Sequence, residues 1–342
     1  FPTDQIPSLA APVLEKYGAR ALQYGATQGV PELRAAIAAR YGVPVSQVQI
    51  TTSSQQGIDV CSRVLLDPGD IVLAQSPVYL GALQSFKAYR ARVEEVATPS
   101  CHSEQSEESP AKFIYVIPDF NNPTGKTLTL EERQEIVRLA RELDILIVED
   151  SPYRELRYSG ESLPTIREMA PERTLHLGSF SKIFAPGFRL GWIIGPEELL
   201  EQIYVCKQCL DLCPPVLDQY MAAEFLTSGA LDANLVKTIA EYRRRRDLML
   251  SLLEKHMPAG TSWTHPEGGL FLWLTLPEDI DTVALYDEAL SAGVAYVAGS
   301  FFYPDGSHRN TMRLNFSFID ESKMEPGIKL LAAVLAKALA DK

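Results

Sequence analysis

Between residues 45 and 195, short apolar runs alternate with helical patterns. QVQIT (47–51) is followed by the helical stretch SSQQGIDVCSRVLL. IVLA (71–74) is followed by SPVYLGALQSFKAY, and then by VEEVA (93–97). FIYVI (113–117) leads to a helix whose start is marked by a capping box, Thr129 to Glu132, and ILIVE (145–149) comes after that helix. TLHLG (174–178) and LGWII (190–194) complete the series. Parallel strands need a crossover of a dozen or more residues, usually a helix, so this rhythm commits the chain to an α/β fold with a parallel sheet. Residues 98–112, TPSCHSEQSEESPAK, interrupt the rhythm. They have the length of a crossover without a helical apolar stripe and read as a loose surface loop.

Ligands of open α/β sheets sit outside the carboxyl ends of the strands, so the residues after each apolar run carry the functional information. Ser53-Ser54-Gln55-Gln56 fall where a helix starts, which suits either an anion or a plain serine cap. Asn121-Asn122-Pro123-Thr124-Gly125 follows FIYVI, and Asp150-Ser151-Pro152-Tyr153 follows ILIVE. A carboxylate ending so apolar a strand calls for a cationic partner. Ser179, Ser181 and Lys182 follow TLHLG, and Arg189 lies past a Pro186-Gly187 turn. One amine, two hydroxyls and one guanidinium in a single loop suit a phosphorylated aldehyde.

After Pro196 the chain turns helical, then gives strands and helices of a smaller α+β unit: GGLFLWLTL, DTVALYDEALSAG, AYVAG, TMRLNFSF and a C-terminal helix. Arg243–Arg246 on the long helical stretch read as a solvated face. The net charge of −12 disfavours nucleic acid as a partner. No apolar run approaches the ~20 residues of a membrane span, and FPTDQIPSLA at the start is no signal peptide. Five cysteines, unevenly placed, fit a reducing compartment, so a cytoplasmic location is expected. Cys206, Cys209 and Cys213 lack a fourth ligand for zinc and read as small apolar residues on a buried helical face; no metal site is expected. The chain opens without methionine, so an incomplete N-terminal arm is also expected.

NNPTG (121–125), EDSPY (149–153), SFSKIFAPGFRLG (179–191) and MRLNFSF (312–318) together identify a resemblance. From about Tyr24 onward the chain resembles the fold-type I aminotransferases of class I/II. The resemblance implies a mostly parallel seven-stranded sheet with helices on both faces, plus a smaller α+β domain. It divides the chain into an arm (1–30), a large cofactor domain (31–225) and a small domain (226–342). It also implies pyridoxal 5′-phosphate as cofactor.

By the same resemblance, Lys182 would carry the cofactor and shuttle the proton between substrate Cα and cofactor C4′. Asp150 would pair with the pyridinium nitrogen, and Asn122 and Tyr153 would donate to the phenolic oxygen. Ser54, Gln55, Ser179, Ser181 and Arg189 would cradle the phosphate, and Tyr79 would stack on the ring. Tyr24 would reach the phosphate of a neighbouring subunit, making a homodimer with shared sites. Arg313 would clamp the substrate α-carboxylate, and Asn122 would bind the substrate beside it.

LQYGATQGVPELR, TTSSQQGID and IPDFNNPTG resemble the 2-aminoadipate and kynurenine aminotransferases, and the aminotransferase-like domains of regulators fused to a DNA-binding module. Of these the free enzyme is the expectation. Two departures stand out. Relatives have a glycine-rich N-terminal segment over the substrate, and a helix where this chain has CHSEQSEESP. The expected reaction is ping-pong transfer from an L-amino acid to a 2-oxo acid, with 2-oxoglutarate the expected acceptor. The alternatives on this scaffold are C–S lyase or decarboxylase chemistry, or a non-catalytic cofactor-binding sensor.

Overall fold

A computed structural model describes residues 2–96 and 111–340. The strands are β1 (Val48–Thr51), β2 (Ile71–Ala74), β3 (Arg92–Glu95), β4 (Ala111–Val116), β5 (Leu146–Asp150), β6 (Thr174–Ser179), β7 (Gly191–Ile194), β8 (Ser262–Trp263), β9 (Phe271–Thr275), β10 (Val297–Ala298) and β11 (Thr311–Asn315). The helices are α1 (Ile6–Tyr17), α2 (Pro31–Tyr41), α3 (Ser53–Leu65), α4 (Leu80–Ala88), α5 (Leu130–Glu142), α6 (Ile166–Met169), α7 (Glu197–Asp211), α8 (Val216–Thr227), α9 (Ala230–His256), α10 (Tyr286–Ser291) and α11 (Glu321–Ala340).

The first seven strands form one sheet in the order β1-β7-β6-β5-β4-β2-β3. Its pairs are parallel except at β7, which runs antiparallel to both β6 and β1. The central strands are buried along nearly their whole length, as expected of a sheet covered on both faces. Alternate residues separate the two faces. Ile71, Leu73, Ile114, Val116 and Ile147 pack with Ile136, Val137 and Ala140 of α5. Val72, Ala74, Phe113, Tyr115 and Val148 belong to the main core on the other side. The capping box is present: Thr129 Oγ1 accepts from Glu132 N, and Glu132 Oε2 accepts from Thr129 N. Gly42 ends α2 in the left-handed region (φ 63°), where a side chain would be strained.

The second sheet is antiparallel throughout, in the order β10-β11-β9-β8, and α9 and α11 pack beside it through Leu252, Leu253, Ile328 and Leu331.

Four sequence expectations need correction. The segment read as a loop at 98–112 lies outside the described residues as far as residue 110, but Ala111 and Lys112 already belong to β4. The helix expected over 281–293 is reduced to α10. Thr282 instead binds the lead into β11, donating its N–H and hydroxyl to Arg309 O, and Asp281 Oδ1 accepts from Val283 N, closing a turn.

Arg243–Arg246 are not a merely solvated face. Arg243 donates to Tyr158 O, Arg244 pairs with Glu321, and Arg245 donates to Ser317 O and Ile319 O. Arg246 donates to Pro266 O with its guanidinium 5.4 Å from the Tyr158 ring. The four arginines tie α9 to the paired segments at 158 and 266 and to the segment after β11.

The cysteines do not share a buried face either: Cys209 is exposed, Cys206 is half-buried and Cys213 lies beyond the end of α7. The three- and four-residue spacing on α7 buries Leu200, Ile203 and the ion-paired Lys207 instead. Among the described residues no group of His, Cys, Asp or Glu could hold a metal ion, and no helix is long and apolar enough to cross a membrane.

Candidate active site

The carboxyl ends of β4, β5 and β6 open into one cavity of about 1050 Å³. Its lining includes Ser54, Gln55, Tyr79, Asn122, Asp150, Tyr153, Ser179, Ser181, Lys182, Arg189 and Arg313. Every site residue expected from the sequence is thus brought together except Tyr24, which is 78% exposed on the surface.

Asp150 is the last residue of β5 and is buried. Tyr115, on the neighbouring strand β4, donates its hydroxyl to Asp150 Oδ2 at 2.8 Å. Among the described residues Asp150 Oδ1 has no hydrogen-bond partner. Burial pushes this carboxyl up to about 7, and the Tyr115 hydrogen bond only partly opposes it. A buried carboxylate oxygen without a donor is costly unless a ligand supplies one.

Lys182 follows β6 and faces the same cavity. Burial holds its amine below the usual lysine value, and the nearby Arg189 and Arg313 charges push in the same direction. A lysine so placed is a neutral nucleophile for a larger share of the time than a surface lysine. Ser179 Oγ accepts from Ser181 N at 3.1 Å, which fixes the turn between the two hydroxyls. Arg189 takes a left-handed conformation (φ 50°), is exposed, and donates to Pro186 O at 3.2 Å.

Across the cavity, α3 begins at Ser53, itself left-handed (φ 73°) and buried. Its Thr52 N-cap makes no side-chain cap. The N–H groups of a first helical turn have no carbonyl one turn earlier, and here they border the cavity. Gln55 Nε2 donates to Gly81 O at 2.9 Å. Gly191 of β7 lies so close that a Cβ there would meet Ser53 C and Ser54 N at 2.6 Å, so only glycine lets β7 support this turn.

The small unit contributes Arg313 from β11. Its Nη1 donates to Asn122 Oδ1 at 2.8 Å, and its guanidinium lies 4.3 Å from the Phe271 ring and 5.3 Å from the Phe302 ring. Among the described residues no carboxylate pairs with it. Asn122 Nδ2 in turn donates to Tyr153 Oη at 3.4 Å. Burial raises the phenols of Tyr153 and Tyr79, so both remain protonated donors at neutral pH.

Sequence reading missed Tyr115, Phe271 and Phe302, because each sits inside an apolar run whose composition signals only core.

The model of the aminotransferase class I and II family matches residues 2–331. The chain belongs to that family. Aromatic-amino-acid aminotransferase 1 of Thermococcus litoralis is 42% identical, over 99% of this chain and 86% of its own length. The kynurenine aminotransferase of Pyrococcus horikoshii, solved with PMP, superposes with a TM-score of 0.94 at 39% identity, covering 99% of this chain and 88% of its own. LysN, the α-aminoadipate aminotransferase of Thermus thermophilus, solved with N-(5′-phosphopyridoxyl)-L-leucine, gives 0.92 at 34%, covering 100% and 90%.

The enzyme is a pyridoxal 5′-phosphate-dependent aminotransferase with the sheet architecture of its relatives. Its cavity fits that cofactor. An unpartnered buried carboxylate oxygen, an amine of lowered basicity and a helix start with open N–H groups suit its ring nitrogen, aldehyde and phosphate respectively.

Proposed function

We propose that the enzyme moves the amino group of an L-amino acid to a 2-oxo acid in two half-reactions, with 2-oxoglutarate as the acceptor. The single observation that supports this best is the pairing of two unsatisfied groups in one cavity. Among the described residues, Asp150 Oδ1 has no donor and Arg313 has no carboxylate.

Bound pyridoxal 5′-phosphate supplies an aldehyde conjugated to a cationic ring that takes up electrons from the substrate carbon. In this reading the Asp150 carboxylate accepts from the ring N–H and keeps that proton in place. Asn122 and Tyr153 donate to the phenolic oxygen, and Tyr79 stacks on the ring. Ser54, Gln55, Ser179, Ser181 and Arg189 hold the phosphate. The Lys182 amine takes the proton from the substrate Cα and returns it one position along. Arg313 offers a planar fork to the substrate α-carboxylate while Asn122 and the two phenylalanine rings fix its plane.

Exposed Tyr24 supports a homodimer in which each subunit completes the other's phosphate site. The division of the chain near residue 226, and a cytoplasmic location, belong to the same proposal. The relatives act on aromatic amino acids, kynurenine and α-aminoadipate by name, so these are the donors to test first.

The test is a screen of the holoenzyme with each L-amino acid, first alone and then with 2-oxoglutarate. One equivalent of oxo acid per site without acceptor, and continuous glutamate with it, is the expected result. Ammonia and pyruvate released without acceptor would establish lyase chemistry instead, and carbon dioxide a decarboxylase.

A further inference from the structure

Beneath the start of α3 a second polar cluster is connected, reaching the cavity lining through Gln56. Lys207 is wholly buried and donates Nζ to Asp211 Oδ1 at 2.7 Å, one turn along α7. Asp211 Oδ2 accepts from Thr52 Oγ1 at 2.8 Å and from Gln56 Nε2 at 2.7 Å. Gln56 Oε1 accepts from Thr52 N at 2.7 Å. Burial alone would raise the Asp211 carboxyl, but donors from Lys207, Gln56 and Thr52 outweigh it and hold the group below its ordinary value.

The cluster changes what α3 can bind. Threonine at an N-cap ordinarily turns its oxygen onto the N–H groups two or three residues on. Here the Thr52 hydroxyl is drawn to Asp211, and the N-cap position makes no side-chain cap. The first-turn N–H groups are left open toward the cavity. Ser53 takes a left-handed conformation at this point, and Thr51 Oγ1 donates to Ser53 O at 2.9 Å. A carboxylate this close to an anion site would by itself repel phosphate. The buried Lys207 ammonium balances it. The repulsion is cancelled while the geometry is kept.

We propose that Asp211 and Lys207 are positioning residues for the cofactor phosphate: Asp211 withdraws the Thr52 cap so that α3 offers its N–H groups, and Lys207 neutralises the carboxylate that does so. This rests on the reading of the α3 start as part of the phosphate site.

The test compares two ligands of the cofactor-free dialysed protein, pyridoxal 5′-phosphate and pyridoxal, which lacks the phosphate. Dissociation constants are read from the visible absorbance of the bound ligand. The wild type is expected to prefer the phosphorylated ligand strongly. Asp211→Asn is expected to lose about ten- to a hundredfold in affinity for it, the weight of one hydrogen bond to a charged group, while pyridoxal binding stays within about twofold.

Lys207→Met is expected to lose more, because it leaves a bare carboxylate beside the phosphate. The double variant is expected to recover part of that loss. If Asp211→Asn does not fold, Thr52→Val decides the matter: it has no hydroxyl with which to cap α3, so its affinity for pyridoxal 5′-phosphate should stay within about twofold of the wild type, and a tenfold loss would overturn the proposal.

For Asp211→Asn, equal weakening of both ligands, or no change for either, overturns the proposal, as does strict additivity in the double variant. A wild type that binds both ligands equally contradicts the phosphate-site reading itself, before any variant is considered.

Discussion

Glu149 and Asp150 are neighbours on β5, both buried, on opposite faces of the sheet. Glu149 accepts from His176 Nδ1 at 2.9 Å, Ile166 N at 2.9 Å and Arg167 N at 3.0 Å. Burial opposes its charge, yet these donors hold its carboxyl below the usual range. Asp150 has Tyr115 alone, keeps one oxygen without a donor, and is pushed up to about 7. The strand therefore carries a finished carboxylate on one side and an unfinished one on the other. The chain satisfies the first from within. The second is completed only by a ligand, and that difference separates a structural group from a functional one more sharply than burial does.

Lys182→Ala should show the largest effect on the cavity side. Transamination is expected to fall on the order of 10⁴-fold or more, the scale of a lost proton-transfer group, while the cofactor-free protein keeps its thermal midpoint. Replacing the two carboxylates tests the comparison directly. Asp150→Asn should cut turnover by about 10²–10³-fold with little loss of fold, the scale of removing one preorganised electrostatic partner. Glu149→Gln should do the reverse. It should cost about 3 kcal/mol in denaturant unfolding, because His176 and the α6 backbone lose their charged acceptor, with turnover of the folded fraction within about threefold. Exchanged phenotypes would break the comparison.

The pH dependence has a definite sign. In the cofactor-free protein Asp150 keeps its proton up to about 7, whereas an unfolded aspartate releases it near ~3.9. Between those values the folded state holds more protons, so on this group's account stability falls as pH rises from about 4 to about 7, and is level above that. Subtracting the thermal midpoints of Asp150→Asn from those of the wild type across this window isolates the slope. Glu149, lowered rather than raised, should contribute the opposite slope at acid pH.

Tyr115→Phe should show the smallest effect. Losing one hydrogen bond to Asp150 Oδ2 should reduce turnover about tenfold and move the Asp150 titration further up. An unchanged midpoint would show that Tyr115 only fills space.

Much of this was legible in the sequence for physical reasons. Strands covered on both faces read as continuous apolar runs, so β2, β4, β5, β6 and β7 were visible, and the strand-end rule pointed to Asn122, Asp150 and Lys182. What stayed hidden depends on neighbours across the sheet or far along the chain. Tyr115 looks like any core aromatic until β4 is laid beside β5. Asp211 and Gln56 are 155 residues apart, and nothing local marks them as partners. Arg243–Arg246 read as a charge run because Arg243, Arg245 and Arg246 reach backbone carbonyls at 158, 266, 317 and 319, which carry no residue-type signal, and Arg244 reaches Glu321, 77 residues away. Tyr24 was placed by resemblance alone, and its exposure leaves its role to the assembly.

One cavity joins an amine at Lys182 to an unfinished carboxylate at Asp150. The most direct test is a titration of the purified protein with pyridoxal 5′-phosphate, followed by absorbance, in the wild type, Lys182→Ala and Asp150→Asn. In the wild type the expected result is a visible band at one cofactor per chain that an L-amino acid abolishes with release of one oxo acid. Lys182→Ala should lack this Lys-dependent band, and in Asp150→Asn the band should respond to amino acid at least about a hundredfold more slowly. A Lys182→Ala spectrum identical to the wild type, or an Asp150→Asn half-reaction at the wild-type rate, would contradict it.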